Sequence, residues 1–241
     1  MLRNCPIVRN FLTFYLPLVV SIFCFCTTTT LAQSDIDGPF GLSTVAAPEA
    51  PLAMTWARLL LEVNKDLSVI ARCRVEGQSC SSLAAAKFIA LVKEGEQPEL
   101  LAQIAHINRA ANFSMRLLDT AHADNEWRSP LAVLTRNAGD CKHHAVLKYA
   151  ALREAGFAPD ALKIVVVEIR STHQQHAVVA IRTIGHRWLI LDNHTSTLVE
   201  SSVALDRYDP LYALDHDGVR QFALPSRPLQ MVDSTQRPVQ R

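Results

Sequence analysis

The chain has 241 residues, a formal net charge of +1, 49% hydrophobic and 20% charged residues. That balance is ordinary for a globular protein and holds no basic excess, so nothing in it points to nucleic acid as a partner. The length suits one compact domain with a sizeable core.

Arg3 and Arg9 lead into an apolar run from Phe11 to Cys26, followed by TTTTLAQS. This is the pattern of a secretory signal peptide over residues 1–32, cut after Ala32 with Thr30 as the second small residue. A retained membrane anchor is the alternative, although the run is short for a span. Cys24 and Cys26 lack the small-residue setting of a lipid-modified cysteine. Residues 33–50, rich in Gly, Pro, Ser and Ala without an apolar period, read as a flexible N-terminus.

Apolar spacing of three and four predicts helices over 51–61, 82–93 and 98–117, the last with Ile104, Ile107, Ala111 and Met115 as its buried stripe. After processing three cysteines remain. Cys73 and Cys80 lie seven residues apart across a Gly-containing turn, which suits a short disulfide in an oxidising compartment and leaves Cys141 free. The polar stretch 119–139, broken by Pro130, reads as a loop leading to the active centre. Its Trp127 is either a packing aromatic or a wall for substrate.

From Cys141 onward, Ala145, Tyr149 and Leu152 give a helical stripe, with Asp140 as N-cap and Gly156 at the C-cap. Beyond Pro159 the pattern changes to β-branched runs over 164–169, 177–184 and 187–191, with a weaker one over 197–203. Gly185-His186 is a hairpin connection. Helices first, a central helix, then an antiparallel sheet make an α+β domain over 51–225, followed by a flexible tail over 226–241.

Three residue types in this order carry chemistry. A thiolate, not a thiol, attacks a carbonyl, and a helix N-terminus beside an imidazole is where thiolates form. Cys141 opens a helix, His176 opens one strand and Asp192 ends the next. Antiparallel pairing brings His176 and Asp192 to the same end of the hairpin. The carboxylate then orients the ring, with Asn193 as the alternative orienting group. Cys141 alone would read as a small buried apolar residue; the cap, the helix and the downstream hairpin reverse that reading. His143, His144, His176 and His194 invite a metal, but no HExxH or CxxC pair is present and adjacent histidines on a helix diverge. His106, His173 and His186 read as satisfied or surface residues.

The run EWRSPLAVLTRNAGDCKHHAVLKYAALREAGF, then HAVVAI, WLILDNHT and YDPLYALDHDG, resembles the bacterial transglutaminase-like cysteine proteinases, which include the LapG-type periplasmic proteases. The resemblance covers roughly residues 100–220. It implies a papain-like or transglutaminase-like fold, a Cys141–His176–Asp192 triad, a periplasmic location and a protein substrate. It also implies a large surface adhesin as that substrate, cut at a small-residue site in biofilm release, and an inner-membrane cyclic-di-GMP receptor as partner. Family members carry acidic residues beside the cysteine that help bind calcium. This chain keeps Asp140 as a candidate ligand but has Lys142 and His143 in place of the acids. A lysine offers no oxygen, so no cofactor is expected to be required, with calcium at Asp140 as the alternative. The expectation is an exported cysteine endopeptidase. Acyl transfer to an amine and a non-catalytic binding module are the alternatives.

Overall fold

The computed structural model describes residues 38–93, 99–118 and 125–223. The proposed signal peptide and the C-terminal tail lie outside these residues. In chain order the elements are β1 (Thr44–Ala46), α1 (Pro51–Glu76), α2 (Leu83–Lys93), α3 (Leu100–Phe113), β2 (Arg116–Leu117), α4 (Pro130–Arg136), β3 (Ala138–Gly139), α5 (Cys141–Glu154), β4 (Leu162–Ile169), β5 (Gln174–Arg182), β6 (Trp188–Leu191), β7 (Val199–Glu200), α6 (Ser201–Ala204), β8 (Tyr208–Asp215) and β9 (Gly218–Phe222). No described helix is long and apolar enough to cross a membrane.

Seven strands form one sheet in the order β1-β9-β8-β4-β5-β6-β7, every neighbour antiparallel. Along β4 and β5, Ile164, Val166, Ala177, Val179 and Ile181 face the helices, while Val165, Val167, Val178 and Ala180 face a second apolar cluster with Phe40, Trp188 and Tyr208. Period-two alternation with both faces covered is why these strands read as continuous β-branched runs. α5 lies over the helical face of the sheet and is buried from His143 to Leu152. The fold is α+β, as the sequence implies.

Several segments depart from the sequence reading. α1 runs to Glu76, not Leu61, because the apolar stripe Trp56, Leu59, Val63, Ile70 and Cys73 continues beneath a polar outer face. It ends at Gly77, whose φ of 58° suits glycine and whose N–H bonds to Cys73 O. Cys73 and Cys80 are joined as a disulfide across that turn.

Residues 130–136, expected as loop, form α4: Pro130 sits at the first helical position, where its missing N–H costs nothing. The Asp66 carboxylate accepts the next N–H, from Leu131, at 2.9 Å. Within 33–50, expected to be flexible, β1 pairs with β9, and Arg220 donates to Thr44 Oγ1 and O at 2.8 and 3.0 Å. Residues 201–204 turn into α6 instead of continuing a strand. β8 and β9 were not expected as strands because Pro210 and Gly218 interrupt their pattern. β8 takes Pro210 beside an irregularity in its pairing with β4, and Gly218 at φ 127° opens β9.

Candidate active site

α5 begins where β3 delivers the chain. Gly139 is required there: a Cβ would lie 2.7 Å from His143 Cβ and 2.9 Å from Met115 Sδ. Asp140 is the N-cap in extended conformation, and Cys141 is the first helical residue. Asp140 N–H reaches His143 Nδ1 at 3.1 Å, closing the first turn on itself as a capping box. The Asp140 carboxylate pairs with the Lys142 ammonium and lies 2.9 Å from His143 Nδ1. Burial pushes its pKa up, but these two partners outweigh burial and hold it at about 2.

β5 and β6 pair with Val179 opposite Leu191, so His176, near the start of β5, and Asp192, just past β6, meet at one end of the hairpin. His176 Nε2 lies 2.8 Å from Asp192 Oδ1. The ring also interacts with the Cys141 side chain; with Nε2 committed to Asp192, Nδ1 is the nitrogen left for sulfur. Burial alone would lower the His176 pKa, yet the bond to Asp192 and the interaction with Cys141 raise it to about 9. Asp192 is almost fully buried. Burial works against its charge, and bonds from His176, the His194 N–H and Tyr208 hold its pKa far below the usual carboxylate range. Of the three side chains singled out in the sequence, His176 and Asp192 are hydrogen-bonded and Cys141 and His176 line the same cleft.

Sequence reasoning missed the supports around them. Tyr208 donates to Asp192 Oδ2 at 2.5 Å, and Arg207 Nη1 stands 4.0 Å from the same oxygen. The His194 ring stacks on His176 at 4.4 Å between centroids and 16° between planes, and Tyr208 covers His176 at 5.9 Å. From α3, Asn112 Nδ2 donates to Asp192 O at 3.0 Å and Thr195 O at 3.2 Å. Asn108 Nδ2 donates to Thr195 and Ser196 carbonyls at 3.4 and 3.3 Å, tying down the loop that carries the acid. The available signal was local: Tyr208 opens the quoted YDP run, and both asparagines lie on the predicted third helix. Asn193, the alternative orienting residue, does not reach the ring; its amide atoms are buried without a hydrogen-bond partner.

These groups open on a cleft of about 720 Å³. Leu52, Leu117, Trp127, Val166 and Ile169 supply apolar wall, and Cys141, His176, Asn193 and His194 line its polar side. Trp127 packs against the core and lines the cleft.

The histidines do not converge on a metal. His143 is spent on the cap and His144 Nδ1 on Ala111 O at 3.2 Å. His176, Asp192 and His194 bring ligand atoms together, but the stacked rings aim their lone pairs along nearly parallel planes, which two imidazoles sharing one ion do not do. The Asp140 carboxylate holds the Lys142 ammonium, and among the described residues it joins no cluster of three His, Cys, Asp or Glu ligand atoms. His173 and His186 sit in turns at φ 56° and 61°. His106, expected to be satisfied or exposed, instead keeps a buried Nε2 with no partner.

A family profile described as bacterial transglutaminase-like cysteine proteinase matches residues 63–208. No curated protein matches the chain. Among solved structures, calcium-bound LapG of Legionella pneumophila is similar at 23% identity and a TM-score of 0.54, over 64% of this chain and 87% of that one. The EGTA-treated form of the same protein gives the same identity and score, over 64% and 85%. At that identity the likeness is one of fold. With the profile spanning α5, the β5–β6 hairpin and the cleft, the chain belongs to the bacterial transglutaminase-like cysteine proteinase family.

Proposed function

We propose that this protein is a thiol endopeptidase whose nucleophile, general acid–base and orienting group are Cys141, His176 and Asp192. The observation that carries the proposal is the His176–Asp192 bond beside Cys141, with Cys141 and His176 lining one cleft. The Cys141 thiolate attacks the peptide carbonyl and forms the S–C bond. As the C–N bond breaks, the His176 imidazolium gives its proton to the leaving amine. Water then attacks the thioester with His176 taking its proton, which releases the acid and restores the thiolate. Asp192 holds the ring and favours its charged form. The Cys141 N–H, at the start of α5, is the proposed first oxyanion donor.

The family resemblance extends the proposal to an exported, periplasmic protease acting on a large surface adhesin, with an inner-membrane cyclic-di-GMP receptor as regulator. Because Lys142 occupies the Asp140 carboxylate, activity is proposed to be independent of calcium.

The test is Cys141→Ala against the native protein on unfolded protein substrate, read by mass spectrometry, with iodoacetamide labelling of Cys141 alongside. New termini from the native protein and none from the variant support the proposal. Isopeptide-linked products identify acyl transfer instead. An unreactive Cys141, or full turnover by the variant, overturns the mechanism.

A further inference from the structure

The His194 ring is exposed, lines the cleft and lies on the face of His176 at 4.4 Å between centroids. Its Nδ1 is 3.3 Å from Nη2 of Arg207. A guanidinium has N–H donors, no acceptor, and keeps its proton in proteins, so Nδ1 is the acceptor of that bond. An imidazole that accepts at Nδ1 is neutral and carries its one ring hydrogen on Nε2. His194 therefore presents an N–H, not a lone pair, on the ring edge that Arg207 does not hold.

The guanidinium is itself fixed. It stands 4.0 Å from Asp192 Oδ2 and 5.3 Å over the Tyr208 ring, while the Arg207 carbonyl accepts from Arg170 N–H at 3.0 Å and its N–H donates to Ala204 O at 3.1 Å. On the other side, the His194 backbone N–H donates to Asp192 Oδ1 at 3.0 Å. Burial first, then His176 and more weakly Arg207 and Lys148, lower the His194 pKa; Asp192 opposes them and is outweighed. The ring is thus neutral at neutral pH, as the Arg207 bond requires.

What this donor meets follows from the chemistry of the cut. His176 gives its proton to the leaving amine, so the segment after the cut bond passes the His176 ring, and His194 is stacked on that ring. The acceptor that every peptide segment offers is a main-chain carbonyl. Asn193, its neighbour in the lining, keeps both amide atoms buried and does not compete for it.

We propose that His194 is a substrate-binding residue whose Nε2–H donates to a main-chain carbonyl of the segment that follows the cut bond, with Arg207 as the positioning residue that fixes this tautomer. The proposal rests on the thiol-peptidase reading and assigns the leaving-group side of that site.

Two measurements test it. In 15N-histidine-labelled protein the two ring nitrogens of His194 report the tautomer, with Nε2 protonated and Nδ1 bare in the native chain. Arg207→Met should move both signals toward a mixture of tautomers, and Arg207→Lys, which restores a cationic donor, should bring them back toward native. A native His194 protonated on Nδ1, or signals that stay in place in Arg207→Met, overturns the proposal. The second measurement uses His194→Phe, which keeps a flat ring against His176 and removes the N–H. Its kcat/KM on unfolded casein should fall about two- to tenfold relative to its rate of Cys141 alkylation, the size of one neutral hydrogen bond. Iodoacetamide reads the Cys141–His176 pair and carries no peptide chain beyond the reacting carbon, so a merely structural ring would change both rates together. A ratio equal to the native one overturns the proposal. A native protein that neither alkylates nor cuts overturns the peptidase reading and this assignment with it, a result distinct from an unchanged ratio.

Discussion

His176 Nε2 and Asp192 Oδ1 are 2.8 Å apart, and the second oxygen of that carboxylate is taken by Tyr208 at 2.5 Å. The acid is thereby fixed from both sides and the imidazole has one orientation. Asp192→Asn keeps the shape and removes the charge. The expected result is a loss of kcat/KM on the order of 10³- to 10⁴-fold. The alkaline limb of the pH–rate profile should also move down from about 9, since the Asp192 bond is the largest influence raising His176. Tyr208→Phe removes one bond to a charged acceptor and should cost roughly ten- to a hundredfold, from the ~1.5–3 kcal/mol range of such bonds. Both are read from steady-state rates against pH. An unchanged alkaline limb in Asp192→Asn would detach the acid from the ring.

Stability should fall as pH falls from 6.5 to 4. Folded His144 has a pKa of about 4, lowered from 6.5 by burial, so in this window the unfolded chain binds a proton that the folded one refuses. More protons on the unfolded state means stability that rises with pH. His194, also lowered by burial, acts in the same direction. His176, raised to about 9, and Lys148, lowered to about 7, are charged in both states over most of this window and add little there. The His144 contribution is at most about 3 kcal/mol. Thermal melts at steps of pH should show this slope, and His144→Gln should flatten most of it. A native slope retained in that variant would place the titration elsewhere.

How far the sequence reveals this site depends on whether a residue's partner is near in the chain. Asp140 and Cys141 announce themselves through a helix start. His176 and Asp192 do so through a hairpin whose pairing rule fixes which ends meet. Tyr208 and Asn112 reach Asp192 from β8 and α3, and no periodicity within either element marks that contact. The fold behaves likewise. α5 and β4–β6 have strong local patterns, whereas β1 owes its place to β9, far along the chain. α4 was masked by reading Pro130 as a breaker when it occupies the one helical position that tolerates proline.

Asp140 caps the helix that carries Cys141. Its carboxylate is bound by Lys142 and close to His143, while its backbone completes the capping box. EGTA treatment should therefore leave peptidase activity and melting temperature unchanged, and added calcium should raise neither. Asp140→Ala should lower stability by about 0.5–2 kcal/mol, the range for losing an N-cap, whether or not calcium is present. Differential scanning fluorimetry with EGTA or calcium checks both. A calcium-induced rise in melting temperature, absent in Asp140→Ala, would contradict the reading.

The Cys73–Cys80 bridge ties the last turn of α1 to the approach to α2. It should contribute stability without contributing chemistry. Chain entropy for so short a closed loop gives about 2.5 kcal/mol. Cys73 also packs in the core, so the double Cys73→Ala, Cys80→Ala variant loses that contact as well. The three reactive groups lie on α5, β5 and the loop after β6, none of them on the bridged segment. The variant should show a lower denaturant midpoint and an unaltered rate of Cys141 alkylation under native conditions. Thiol titration of the native protein lacking residues 1–32 should count one free cysteine, matching Cys141 as the free thiol among the described residues. Three titratable thiols in the native protein, or an alkylation rate that falls with the bridge, would show that the bridge is absent or that it shapes the cleft.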